Sequence, residues 1–271
     1  MKTRLYVAGA IATVMATMWT IGAASAADLP RPIYTKAPPP PPPMYNWTGF
    51  YVGVNVGGSW GHQDITGAGS NILGSFVTTN SNHVDGVIGG GQIGYNWQGA
   101  GSPWVFGLEA DIQGSGQKAD GTLSAPGGII PVFVAPPIIV PPSSVTYADK
   151  LDWFGTVRGR IGYAFGDQGR WLPYITGGLA YGENKISGSG TVGNSLGGLT
   201  PVAFSQSKTD IGWTVGAGIE WAFWDKWSAK LEYLYMDLGD SQTIALTPVA
   251  ATLTTNHLTD NIVRVGANLH F

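Results

Sequence analysis

The sequence predicts an all-β fold: an eight-stranded antiparallel up-and-down transmembrane β-barrel. Three observations predict it. Apolar and polar residues alternate with a period of two in eight segments after Trp47. The connections between these segments alternate between short and long. Charged residues make up only 11% of the 271, against roughly a quarter in soluble domains, yet no apolar run after residue 26 is long enough for a membrane helix. The 41 glycines suit strands packed around a narrow axis. With no cysteine, neither disulfides nor a lipidated cysteine can hold the fold.

Residues 1–26 read as a secretory signal peptide. Lys2 and Arg4 give a positive start, Leu5 to Ile21 is a run of 17 uncharged residues, and Ala24-Ser25-Ala26 supplies a cleavage site. A run of this length is also near the lower limit for a spanning helix, but the cleavage motif and the proline-rich stretch after it favour removal. The remaining chain carries 12 basic and 17 acidic residues, a net charge of −5, and implies no nucleic-acid surface. Residues 27–46 contain six consecutive prolines, Pro38 to Pro43. Such a stretch stays extended and offers a sheet no backbone donors, so it reads as a periplasmic linker, or alternatively as a ligand for a proline-recognition domain.

The barrel is assigned to 47–271. Phe50, Val52, Val54, Val56 and Trp60 oppose Tyr51, Gly53, Asn55, Gly57 and Ser59. Trp104, Phe106, Leu108, Ala110 and Ile112 oppose Val105, Gly107, Glu109, Asp111 and Gln113, with Val105 breaking the pattern. Leu151, Trp153, Val157, Ile161 and Tyr163 oppose Asp152, Thr156, Arg158, Arg160 and Gly162, with Phe154 as the exception. The segments 211–221, 229–235 and 263–271 alternate in the same way, and 84–97 and 172–182 do so less cleanly because glycine occupies both faces. Connections near 99–102, 166–170 and 224–227 are short, whereas those near 62–82, 114–148, 184–208 and 240–258 are long. This pattern puts both termini on the side of short periplasmic turns, opposite long extracellular loops.

A soluble barrel with an aromatic core shows the same alternation, and composition decides between the two. The polar face is mostly Gly, Asn and Ser, unlike a solvent-facing sheet rich in Lys and Glu. It suits the crowded lumen of an eight-stranded barrel. The apolar face carries Tyr95, Trp97, Trp104, Tyr163, Trp221, Trp227 and Phe271 at the short-turn end, and Trp60 and Tyr235 at the other. Such rings belong at lipid headgroups.

Glu109, Asp111, Arg158, Arg160, Glu220, Lys230, Glu232 and Arg264 lie on the polar face, four acids and four bases. A narrow lumen requires them to pair, as a structural ion network in preference to a selective conduction path. Depth counted from the short turns matches Glu220 with Lys230, Glu109 with Arg160, Asp111 with Arg158 and Glu232 with Arg264.

The ordered motifs WTGFYVGVNVGGSWG (47–61), GQIGYNW (91–97), GLEADIQ (107–113), WFGTVRGRIGYAF (153–165), LPYITGGLAYG (172–182), GWTVGAGIEWAF (212–223), KLEYLYMDLG (230–239) and VRVGANLHF (263–271) resemble the small alphaproteobacterial outer-membrane barrel proteins of the porin-family or opacity type. The resemblance implies location in the outer membrane of a Gram-negative envelope, among its lipids. It also implies that Leu269 and Phe271 act as the C-terminal signal read by the outer-membrane assembly machinery. The stretch GGIIPVFVAPPIIVPP (127–142) is more apolar than the family pattern. Ile129, Ile130, Val132, Phe133, Ile138, Ile139 and Val140 are expected to fold over the barrel mouth or to meet lipid or a partner.

Other motifs carry little. Gly89, Gly91 and Gly94 satisfy G-x-G-x-x-G, but a strand runs through them where a nucleotide site needs a helix to open. Asn46-Trp47-Thr48 fits a glycosylation acceptor only by chance in a bacterial export. His62, His83, His257 and His270 are scattered without metal-ligand spacing, and no serine sits in a nucleophile motif. Neither an enzyme nor a cofactor or metal site is therefore expected. The leading expectation is a structural and surface protein that contributes to envelope integrity and displays extracellular loops. A narrow porin-like channel and a surface adhesin with an extracellular partner are the alternatives.

Overall fold

The structure, a computed structural model, describes residues 44–71, 74–131, 136–194, 196–239, 241–246 and 251–271. The signal peptide, residues 27–43 of the linker, and Val132 and Phe133 lie outside the described residues. In chain order the strands are β1 (Gly49–Asn71), β2 (Gly74–Gln98), β3 (Trp104–Ala125), β4 (Gly128–Ile130), β5 (Ile138–Val140), β6 (Ser143–Tyr163), β7 (Trp171–Gly193), β8 (Leu199–Ala222), β9 (Trp227–Leu238), β10 (Gln242–Ala245) and β11 (Ala251–His270). The long strands pair antiparallel in the order β1, β2, β3, β6, β7, β8, β9, β11, and β11 returns to β1 with Tyr51 opposite His270. The short β10 continues the position of β9 beside β11. The ring therefore has eight strand positions and closes without an open edge between the two aromatic bands, so its ladder hydrogen bonds there are internal, as lipid demands; beyond the outer band, the extensions of β2 and β8 are paired on one side only. Among the described residues no helix is long and apolar enough to cross a membrane.

Alternation sets the two faces of every strand. Phe50, Val54, Phe106, Leu108, Ile112, Ile175, Leu179 and Val215 face outward and are exposed, while Glu109, Asp111, Arg158 and Lys230 are buried inside. Aromatic rings bound the outer band. Trp171 stacks on Trp221 and Trp104 meets Tyr163 at the short-turn end, while Trp153 meets Tyr181 and Trp213 meets Tyr235 at the other.

Two features depart from the expectations. The long connections are largely ladder: β1 and β2 pair as far as Asn71 and Gly74, and β7 and β8 as far as Gly193 and Leu199. Threonine, serine and glycine tracts such as 74–82 carry no turn-forming Pro, so they continue the sheet well past the aromatic ring. Secondly, the pairing of β6 with β7 shifts between Leu151 and Trp153. A β-bulge adds one residue and reverses which parity faces inward, so Leu151 is buried in the lumen while Trp153 faces out. The expectation that both share the outer face is corrected accordingly.

The lumen is filled in layers. Trp47, Val105, Ala164, Leu172 and Ala222 form an apolar plug at the short-turn end. Above the charged residues, Ile88, Phe154, Leu151, Leu234, Met236 and Ile262 belong to a second apolar layer. Ile65, Leu123, Tyr147, Ile186, Ile244 and Leu253 form a third near the outer end. Val105 and Phe154, the two breaks in the alternation, are members of these layers. The β4–β5 hairpin leaves Ile129 and Ile139 exposed while Val140 is buried.

Candidate functional site

The eight charges singled out in the sequence converge from β3, β6, β8, β9 and β11, because each stands on the inward parity of its strand; Asp149, Asp210 and Asp260 are buried in the lumen nearer its outer end. Arg158 is central. Its Nη2 lies 2.6 Å from Glu109 and 2.9 Å from Asp111, its Nη1 3.1 Å from Glu232, and its Nε donates to Thr156 at 2.9 Å. Arg264 binds Glu232 at 2.6 Å and Asp111 at 2.9 Å. The Lys230 ammonium donates to both oxygens of Glu109, at 2.9 and 3.0 Å. Arg160 pairs with Glu220 at 2.9 Å and stands 3.8 Å from Glu109. Its guanidinium lies 4.8 and 5.2 Å from the ring centres of Tyr51 and Tyr174, within cation–π range.

Neutral donors complete the acids. Tyr51 donates to Glu109 at 2.7 Å, Tyr174 to Glu232 at 3.0 Å and Thr156 to Asp111 at 2.7 Å. Gly94 makes room for the first of these: a Cβ there would lie 2.3 Å from the Tyr51 ring and 2.7 Å from the Leu108 carbonyl oxygen. The last glycine of the G-x-G-x-x-G run thus serves side-chain packing in the lumen.

The structure joins all eight residues, with partners that differ in part from those read by depth. Asp111 with Arg158 and Glu232 with Arg264 are direct pairs, and Glu109 with Arg160 is a longer one. Glu220 and Lys230 are backbone partners across the β8–β9 turn, but their charges go elsewhere, Lys230 to Glu109 and Glu220 to Arg160. The reason is geometric. In a barrel this narrow, β3 lies opposite β9, four positions round the ring, and long side chains reach the far wall.

Ser228, His270 and Glu220 also meet: the Ser228 hydroxyl donates to Glu220 and lies 2.9 Å from Nε2 of His270, and that same nitrogen lies 3.3 Å from Glu220. A catalytic relay orients its histidine through the other ring nitrogen, so this group is a hydrogen-bonded support of Glu220. His62 and His83 stand opposite one another on β1 and β2, with ring centres 4.3 Å apart; the sequence spacing gave no sign of this because strand pairing creates it. Among the described residues no group of three or more His, Cys, Asp or Glu is arranged to hold a metal.

At the short-turn end the chain itself stoppers the lumen. The Trp47 indole donates to the Gly169 carbonyl at 2.9 Å, and the Tyr45 backbone N–H donates to Gln168 at 2.6 Å. Gly166, Gln168 and Gly169 hold positive φ values of 79°, 66° and 66°; the carbonyls of Gln168 and Gly169 accept from this segment, while that of Gly166 accepts from the Gly169 N–H within the turn. Burial pushes the Tyr45 phenol up to about 12.

A closed ring of this kind, apolar outside and charged within, is the architecture of an outer-membrane barrel. The outer membrane protein beta-barrel domain model matches residues 16–271. The chain belongs to the outer membrane β-barrel family. Within that family it is 34% identical to the 31 kDa outer-membrane immunogenic protein of Brucella melitensis, over 84% of this chain and 85% of the relative. It is 32% identical to the 22 kDa outer membrane protein of Rhizobium leguminosarum, over 72% of this chain and 66% of the relative. A 25 kDa outer-membrane immunogenic protein of Brucella abortus is 26% identical over 87% of this chain and 84% of its own length. This family member is accordingly an outer-membrane barrel protein.

Proposed function

We propose that this barrel is a closed structural and surface-display protein of the outer membrane, with neither a conduction path nor a catalytic role. The observation that carries the reading is the lumen cross-section at Arg158 and Arg264. Both side chains are fully buried, and their contacts tie β3, β6, β9 and β11 together across the axis. Apolar layers lie on either side of that network. An ion crossing would have to displace buried charge pairs and then pass two apolar layers, each step costing several kcal/mol. A small apolar cavity of about 40 Å³ lined by Leu123, Val145, Val192 and Leu253 lies near the outer end, room for little more than one water.

Display at the surface rests on the strand extensions, which carry the β4–β5 hairpin beyond the outer aromatic ring. The word immunogenic in the names of the Brucella relatives supports the same reading. Leu269, opposite Val52 on the lipid face, and the exposed Phe271 are proposed as the signal taken up by the assembly machinery. A deletion strain tests the whole proposal: it should become more sensitive to detergent while small-solute uptake stays unchanged. Loss of uptake with normal detergent resistance would favour a channel, and loss of surface attachment alone would favour an adhesin.

A further inference from the structure

His62 of β1 stands directly opposite His83 of β2, with ring centres 4.3 Å apart and ring planes inclined at 57°. Both side chains are exposed on the outer wall, since Gly61, Gln63 and Val84 beside them in their strands are buried. The pair lies one outward position beyond Trp60 of the outer aromatic ring, about 7 Å along the strand. The imidazoles therefore stand clear of the apolar band. The wall on either side leaves them open: Thr259 is the neighbour on β11, and the pairing of β2 with β3 ends at Asp85 and Lys118, short of His83.

The spacing of the rings is the one a shared metal ion imposes. Imidazole nitrogens are ligands for Zn2+, Cu2+ and Ni2+. A metal–nitrogen bond of about 2.0–2.1 Å puts each ring centre about 3.2 Å from the ion. Two rings held at a right angle about one ion then have centres about 4.5 Å apart, and at the tetrahedral angle about 5.2 Å. The observed 4.3 Å matches the right angle, which is the geometry of square-planar or tetragonal Cu2+ and Ni2+ and not of tetrahedral Zn2+. Both histidines stand on paired backbone, so an arriving ion has only side-chain freedom to restrict.

The flanking charges suit a cation. Asp64 lies diagonally beyond the pair, opposite Ser81, whose hydroxyl donates to it at 2.6 Å. Asp85 lies diagonally below, opposite Trp60 on one side and Lys118 on the other. Lys118 offsets one of the two carboxylates, and the other leaves a negative local field. Among the described residues no third His, Cys, Asp or Glu closes on the pair, so water would complete the coordination. We propose that His62 and His83 form a binding site for a divalent metal ion of the Cu2+ and Ni2+ class on the outer wall, open to the external medium. The site is independent of whether the lumen conducts.

The test uses the full chain, without a histidine tag, folded in detergent micelles and titrated with Cu2+. Wild type should bind the ion through two nitrogen ligands, read from the nitrogen splitting of its electron paramagnetic resonance spectrum. His62→Gln and His83→Gln should each bind about a hundredfold more weakly, because losing one ligand removes the chelate, and each should lose the two-nitrogen spectrum. The control His257→Gln, on β11 beside Asp237, should bind as wild type. Ni2+ should compete for the site, whereas Mg2+, which takes oxygen ligands, should not. Heat-dependent gel mobility shows that each variant is folded. Equal binding by wild type, His62→Gln and His83→Gln would overturn the proposal, as would an equal loss in His257→Gln. Displacement of Cu2+ by Mg2+ at matched concentration would also overturn it, since the carboxylates and not the imidazoles would then hold the ion.

Discussion

Lys230 and Glu109 stand on opposite walls of the barrel, yet the ammonium of one lies 2.9 and 3.0 Å from the two carboxylate oxygens of the other. This bond spans the lumen and, with the arginines, joins walls that the backbone ladder does not connect directly. Removing one member leaves a buried charge, at a cost of about 3–5 kcal/mol. Lys230→Met should therefore lower the unfolding free energy strongly, and Glu109→Gln added to it should recover part of the loss. A double-mutant cycle measured by urea unfolding in detergent should give a coupling of at least about 1 kcal/mol for Lys230 with Glu109. The cycle for Lys230 with Glu220 should be weaker, and the reverse order would show that the neighbours across the turn are the true pair.

Trp47 tests the plug at the short-turn end. Its side chain is wholly buried against Val105, Leu172 and Ala222. Trp47→Ala removes that packing and the bond to Gly169, and should destabilise the barrel by about 3–5 kcal/mol. A midpoint of unfolding unchanged from wild type would mean that the N-terminal segment does not seat in the lumen.

Closure predicts a gel signature. Because the eight strand positions close on one another within the lipid band, the folded ring should survive mild SDS and migrate differently before and after boiling. Equal mobility of a membrane-inserted sample would contradict a closed ring.

Orientation predicts labelling on intact cells. An epitope inserted at Gly128, in the hairpin beyond the strand extensions, should be reached by antibody, whereas one at Asp167 in the short turn should be reached only after permeabilisation. Opposite labelling would invert the barrel in the membrane.

Much of this was legible in the sequence. Period two placed Phe106 and Leu108 outside and Glu109 and Asp111 inside, because side chains on a strand can face only two ways. Eight of the buried lumen charges were legible for the same reason, whereas Asp149, Asp210 and Asp260, buried nearer the outer end, lie outside the segments of clear alternation. The partners of the eight were less so: depth along a strand identifies neighbours such as Arg264 and Glu232 but says nothing of Lys230 reaching across the axis to Glu109. The bulge at Leu151 to Trp153 also left little trace, since Phe154 appeared only as a misplaced apolar residue. Apolar layers inside the lumen were hidden in the same way, as single exceptions on separate strands that become a layer only when the ring closes. The strand extensions resemble loops in the sequence because their Thr, Ser and Gly content lacks an apolar face.

Single-channel recording of the full chain in a planar bilayer tests the central claim most directly. A lumen crossed by the Arg158 network between apolar layers should give no stepwise current at moderate voltage, with insertion verified by gel mobility of the recovered sample. Stable unitary conductance steps from the wild type that are altered by Glu109→Gln would contradict it, since ions would then be passing the very residues described as sealing the barrel.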